Sequence, residues 1–179
     1  MQIGAIILVI IILIGVISLY FFSSYNKLSY LDNKTKYASD LIKEDLENKY
    51  SILSKLNSLM KKTLHAKKNY LQDIDSFNEL DLNLEEKDIK LSEFADLADK
   101  LVSDYSKLSN NKNIKLKIKD LREIDEKIDA SKTYFNKYTT ELSKMITKFP
   151  VSFIAKITGI KVKTLFQTNE TIKKIDNEL

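Results

Sequence analysis

Residues 1–22, MQIGAIILVIIILIGVISLYFF, decide the fold, because their uncharged, apolar composition sets them apart from the charged rest of the chain. The 20 positions from Ile3 to Phe22 carry no charged side chain. At 1.5 Å per residue they extend over about 30 Å, the thickness of the hydrocarbon core of a bilayer. Fifteen of them are Ile, Leu, Val or Phe, which sums to about −5 to −9 kcal/mol in favour of insertion. We therefore predict one membrane-spanning helix that contacts the lipid bilayer through residues 3–22.

The flanks of this helix indicate whether it is retained and which way it points. A cleaved signal peptide would have a basic leader, a shorter apolar run and a small-residue cleavage site, and this stretch shows none of these features. The nearest lysines, Lys27, Lys34 and Lys36, follow the apolar stretch, and none precedes it. Since basic residues favour the cytoplasmic side, we expect a single-pass protein whose domain lies in the cytoplasm.

The composition after residue 22 predicts an all-α domain. All 29 basic and 25 acidic residues lie there, interleaved as is typical of helices with solvated outer faces. Three glycines, one proline and no tryptophan leave little material for tight hairpins. The absence of cysteine excludes disulfides and thiolate metal sites. A net charge of only +4, with both signs interleaved, argues against nucleic acid as a partner.

Two apolar stripes predict the first two helices of this domain. The first stripe runs from Ile42 to Ile74 and predicts a helix that continues from the membrane to about residue 75. Residues 75–86 are polar and lack a sustained period, so the chain is expected to turn there. The second stripe runs from Leu91 to Leu108 in steps of three and four, which is the spacing of a coiled-coil seam.

A third helix is predicted after the polar run 109–113, with apolar residues from Ile114 to Phe149 on one side. Pro150 ends it, because proline disfavours helical geometry at the preceding residue. Pro150 then begins a short helix, VSFIAKIT, which Gly159 terminates. Because each helix is apolar along one stripe, we predict an antiparallel bundle of three long helices with a short C-terminal helix. The predicted divisions are an anchor at 1–22, a stalk continuous with the first helix at 23–41, a bundle at 42–167 and a tail at 168–179.

The segment 135–166, FNKYTTELSKMITKFPVSFIAKITGIKVKTLF, resembles the end of the LemA family of bacterial membrane-anchored proteins. The resemblance is carried by Phe135, Asn136, Phe149, Pro150, Ile154, Ala155, Gly159 and Phe166. Near the membrane, Tyr25, Asn26 and Leu28 match the family's Tyr-Asn-x-Leu. The first helix matches less well, since Ser54 and Lys55 replace the family's Pro-Asn. The resemblance implies a single-span protein of the bacterial inner membrane with a long helical bundle and no defined biochemical activity.

Two charged residues of the third helix are candidates for a polar core. Asp125 and Lys132 are two turns apart, at positions of the stripe that are otherwise apolar, so we predict that both face the bundle interior. A buried ionised group needs a partner, because leaving it unpaired costs several kcal/mol. We expect both to pair with the first helix, Lys49 being the candidate partner of Asp125, and to fix the register of the bundle.

The segment FPVSFIAKITGI is dense in apolar residues beside the proline break. We predict that it caps the bundle; the alternative is that it presents Phe153 and Ile157 to a partner or to the membrane surface. The residues available for either role are Phe149, Pro150, Phe153, Ile154, Ile157 and Phe166.

The sequence offers little for catalysis. It has no Gly-rich phosphate loop, no nucleophile beside a base and no paired metal motif, and its single histidine, His65, lacks further ligands at metal spacing. We expect no catalytic residue, no metal and no cofactor, because an enzyme of core carboxylates would need several, and only Asp125 is a candidate. The favoured function is a membrane-anchored scaffold or binding module for an unknown protein partner. The alternative is an anchored coiled-coil protein of cell division or envelope organisation, a homo-oligomer through Leu91 to Leu108.

Overall fold

The computed structural model describes residues 2–65, 70–71 and 73–167, and within them it contains five α-helices and no strand. The helices are α1 (Gln2–Leu64), α2 (Leu84–Asp104), α3 (Ser106–Ser109), α4 (Lys112–Ile146) and α5 (Val151–Thr158). The all-α fold, with three long helices and a short one near the C-terminus, is confirmed. The predicted tail at 168–179 lies outside the described residues.

The chain forms two compact units. Unit 1 comprises Met1–Ala38 and Tyr134–Leu165, and unit 2 comprises Ser39–Thr133 and Phe166–Leu179. Helix α1 passes through both, so the predicted stalk is continuous with the first helix of the bundle. The domain divisions at residues 22, 41 and 167 stay a prediction.

In unit 2, α1 buries the stripe that its sequence predicts. Ile42, Leu46, Leu53, Leu56 and Met60 are all buried. The helix nevertheless ends at Leu64, and the expected continuation to residue 75 is wrong. His65 and Asp73 have left-handed backbones, with φ of 48° and 66°, and such residues break a helix. Leu71 and Ile74 keep the helical period and are buried, but they belong to a segment that folds back, in which the Leu71 N–H donates to Asn57 Oδ1 at 3.3 Å.

Contacts between helices in unit 2 give their directions. Helix α4 runs antiparallel to α1, because Asn111 pairs with Thr63 at one end and Ser131 pairs with Asp45 at the other. It also runs antiparallel to α2, since Lys132 contacts Asp88 and Arg122 contacts Asp99. Helices α1 and α2 are therefore parallel to each other. Helix α4 is thus the antiparallel neighbour of both. Phe77, which precedes α2, stacks on Tyr50 with ring centres 5.4 Å apart, so the residues just before α2 lie beside the middle of α1.

Side-chain caps set where the later helices of unit 2 begin. Asn83 accepts hydrogen bonds from the N–H groups of Glu85 and Glu86, and Glu86 accepts from the Asn83 N–H, which forms a capping box. Asn111 accepts from the N–H groups of Asn113 and Ile114 at the start of α4. The seam of α2 stops at Asp104, where Tyr105 is the C-cap and is 43% exposed.

Unit 1 has its own small core. Its buried members are Leu28, Leu31, Leu142, Val151, Ile154 and Ala155, so α1 beyond the apolar stretch is covered on one face by α4 and α5. Helix α4 ends at Ile146, three residues before the predicted end. Gly159, with φ of 71°, terminates α5 as predicted. The Ile160 N–H then donates to the Ala155 carbonyl at 3.2 Å, which satisfies an orphan carbonyl of the last turn.

Candidate functional site

The first candidate site is a polar cleft in unit 2, and Lys49 is at its base. Its position in the apolar stripe of α1 leaves this side chain 2% exposed. The ammonium lies 2.7 Å from Asp125 Oδ1 on α4 and donates to Ser92 Oγ on α2 at 3.0 Å. One buried charge therefore joins all three long helices of the unit. The expected pairing of Lys49 with Asp125 is what the structure shows, although Asp125 is 42% exposed and faces the cleft instead of the interior.

A second ion pair lies in the same cleft. Lys132 on α4 pairs with Asp88 on α2, and both side chains are largely buried. The expectation that Lys132 pairs with the first helix is therefore wrong. Asp88 lies just beyond the first turn of α2, whose acidic residues are Glu85 and Glu86.

The cleft has a volume of about 480 Å³ and is strongly acidic. It is lined by two lysines and six carboxylates, which are Lys49, Lys132, Glu85, Asp88, Glu93, Asp96, Asp125 and Asp129. Phe166, the last residue of the apolar set, is half-buried and forms part of the wall. Over residues 2–65, 70–71 and 73–167, no three His, Cys, Asp or Glu side chains are grouped to hold a metal ion. Asp125 and Asp88 form the two ion pairs, and Glu85 lies in the first turn of α2.

The second candidate site is α5 with the residues just before it, in unit 1. Ile154 is fully buried and Pro150 is partly buried, as a capping segment requires. Phe149 is 87% exposed, Phe153 59% and Ile157 64%. The expectation that Phe149 extends the buried stripe of α4 is wrong, because the helix ends at Ile146. One face of the segment therefore packs into the core of unit 1 and the other is exposed; a role for the exposed face in binding a partner or the membrane surface stays a prediction.

Unit 1 also has a tyrosine cluster that the sequence reasoning missed. The rings of Tyr134 and Tyr138 lie 4.5 Å apart, and Tyr30 meets Tyr138 edge-on at 6.5 Å. The Lys34 ammonium lies 5.5 Å from the centre of the Tyr30 ring. A hydrogen bond to the Tyr134 hydroxyl, together with the nearby Tyr30 and Tyr138, raises the pKa of Lys34 above its ordinary value of 10.5. Tyr30 and Lys34 are four residues apart, as are Tyr134 and Tyr138, and residues at this spacing are neighbours on a helix surface. This spacing is the sequence feature from which the cluster could have been predicted.

Comparison with known proteins places this architecture in a family. Within the described residues, one helix is long and apolar enough to cross a membrane; its most apolar window has a mean hydropathy of 3.1 and no buried residue. The family model described as the LemA family matches residues 27–177, which is most of the chain. The chain belongs to the LemA family. No curated protein and no solved structure matches it. Membership of the LemA family and the apolar N-terminal part of α1 are together consistent with a membrane-anchored protein.

The residues that carry the LemA resemblance have mainly structural positions here. Phe135, Ile154 and Ala155 are buried in the structure, and Gly159 occupies the left-handed position that ends α5. Phe149 is almost fully exposed, and Tyr25 is 40% exposed.

Proposed function

We propose that this LemA-family protein is a non-enzymatic protein that crosses a bilayer once and presents its helical units as a scaffold or binding module for a protein partner. The observation that carries the proposal is the change in side-chain exposure along α1. Every side chain from Ile3 to Phe22 is exposed, whereas from Leu28 onward the same helix buries one face. A helix that is apolar all round is stable in lipid and not in water.

The proposed setting is the inner membrane of a bacterium, with the helical units in the cytoplasm. The orientation is supported by Lys27, Lys34 and Lys36, which follow the apolar stretch. The coiled-coil alternative has less support, because Leu91, Phe94, Ala98 and Leu108 of the seam are buried within unit 2.

Charging the middle of the apolar stretch tests the anchor. The double variant Ile10→Arg/Ile14→Arg should cost about 6–8 kcal/mol of insertion free energy, which is close to the whole of the favourable sum. The control is Ile10→Leu/Ile14→Leu, which keeps the stretch apolar. After alkaline carbonate extraction we expect the parent and control chains in the membrane pellet and the arginine variant in the supernatant. A parent chain that is itself extracted would contradict the proposal.

A further inference from the structure

Helix α5 has two apolar faces, one buried and one exposed. One face, formed by Val151, Ile154 and Ala155, is buried in the core of unit 1. The other face consists of Phe153 and Ile157, which are more than half exposed, and Phe149 just before the helix is exposed almost completely. We call these three residues the outer face. Large apolar side chains grouped on a surface in this way mark an interaction site.

The outer face begins beside the end of the membrane-spanning stretch. Phe149 and Val151 line a cleft of about 430 Å³ together with Tyr20, Ser23 and Ser24 of α1. Tyr20 belongs to the aromatic end of the apolar stretch, which is expected to lie at the level of the lipid headgroups. The outer face, which begins at Phe149, therefore adjoins the surface that the anchor presents to lipid.

The rise of α1 beyond Phe22 also places α5 near the level of the lipid headgroups. Leu28 and Leu31, against which α5 packs, are six and nine residues beyond Phe22, or about 9–14 Å for an upright helix. The headgroup layer occupies about 5–8 Å on each side of the hydrocarbon core, and a helix with its side chains has a radius of about 5–6 Å. Side chains of α5 are thus long enough to reach that layer.

The charge around the outer face matches a lipid surface. Lys27, Lys144 and Lys148 line the same cleft, where Glu141 is the one acidic lining residue. Lys156 is exposed on α5 itself. Basic residues near a bilayer that contains anionic lipid are each attracted by about 1 kcal/mol. Apolar side chains bordered by lysines are the pattern of a helix that lies in the interface.

We infer that the outer face of α5 docks on the same bilayer that holds the anchor, with Phe149, Phe153 and Ile157 among the headgroups of anionic lipids. The inference rests on the proposed membrane anchoring. The docked helix gives unit 1 a second attachment to the membrane, beside the spanning helix. A protein partner or a second copy of the chain on this face is the rival that the test must separate.

The natural chain has no cysteine, so single cysteines can carry a polarity-sensitive fluorophore on the full-length protein in vesicles. Ile157→Cys reports the outer face, Ile12→Cys reports the anchor and Leu116→Cys reports an exposed position of α4 in unit 2. Vesicles contain zwitterionic lipid alone, or with about a quarter anionic lipid. A fraction of the lipid carries a nitroxide quencher, on the headgroup for positions 157 and 116 and near the end of the acyl chain for position 12.

We expect several-fold stronger quenching at position 157 than at 116, and stronger quenching with anionic lipid than without it. Adding Phe153→Glu to the Ile157→Cys chain should reduce quenching to the level of position 116. The matched control, Leu97→Glu on the exposed side of α2, should leave it unchanged.

Each other outcome has a definite meaning. Quenching at position 12 together with no more quenching at 157 than at 116 overturns the docking while leaving the anchor intact. Loss of quenching at 12 overturns the anchor itself, and with it the proposed function. A blue-shifted label at 157 that lipid does not quench, and whose shift grows with the protein-to-lipid ratio, assigns the face to a second copy and also overturns the docking.

Discussion

Removing either partner of the Lys49–Asp125 pair should have unequal consequences, because the two side chains differ in exposure. Lys49 is 2% exposed and Asp125 is 42% exposed. Asp125→Ala leaves the ammonium buried beside Ser92 Oγ, a neutral hydrogen-bond partner at 3.0 Å. Breaking a fully buried pair from one side costs about 3–5 kcal/mol. Because water reaches the carboxylate side of this pair, we expect a loss of about 2–3 kcal/mol in the free energy of unfolding.

Lys49→Met should be nearly neutral. Methionine has a similar length, and its neighbours on the buried stripe, Leu46 and Leu53, are apolar. The carboxylate that stays behind is half-exposed and can be hydrated, so we expect a change within about 1 kcal/mol. The double variant Lys49→Met/Asp125→Ala should recover most of the loss of Asp125→Ala, since no buried charge is left unpaired.

Thermal unfolding of the full chain in detergent micelles, followed by far-UV circular dichroism, measures this asymmetry. For a protein of this size each kcal/mol moves Tm by about 2–4 °C, so Asp125→Ala should lower Tm by about 4–12 °C and the double variant by much less. Two results would refute the reasoning: an unchanged Tm for Asp125→Ala, or a double variant whose loss equals the sum of two large single losses.

Three further variants test the local structure. Asn83→Ala removes the capping box at the start of α2 and should cost about 1 kcal/mol, seen as faster amide exchange in the first turn, while Asn110→Ala, outside that box, should not have this effect. Gly159→Ala meets no neighbour within 4 Å, so its cost of about 1–2 kcal/mol comes from the left-handed backbone alone, and Gly159→Asn should cost less in the same unfolding assay. Tyr134→Phe removes the hydroxyl whose hydrogen bond raises the pKa of Lys34; an NMR titration of the Lys34 side chain should show that pKa falling toward 10.5. A raised lysine pKa contributes stability fully below 10.5 and loses it as pH rises through the folded-state pKa, so the stability difference between the parent chain and Tyr134→Phe should shrink at alkaline pH.

Periodicity was a reliable guide where one face of a helix is buried by its neighbours. The stripe from Ile42 to Met60 and the stripe of α4 from Ile114 to Leu142 are buried as predicted, and the glycine with a left-handed backbone ends α5 where its position indicated. Periodicity failed at Leu71 and Ile74, which keep the helical spacing and are buried, yet lie in a returning segment. The spacing of apolar residues indicates which residues are buried, but it does not indicate the path of the backbone between them.

The candidate site was predictable only in part. A charged residue inside an apolar stripe showed that Lys49 and Asp125 need partners, and the structure joins them. The partner of Lys132 depended on the direction of α2 relative to α4, and no local sequence pattern gives that direction. The exposure of Phe149 depended on the end of α4 at Ile146, and helix ends are poorly marked when no cap residue is present.

Protease accessibility tests the central claim most directly, with the chain expressed in a bacterium and tagged at its C-terminus. We predict a full-length chain in the membrane fraction, with the tag protected in intact cells and in spheroplasts and cleaved once the membrane is opened by detergent. A tag that is cleaved in spheroplasts would contradict the cytoplasmic orientation. A shortened chain in the soluble fraction would contradict the anchor.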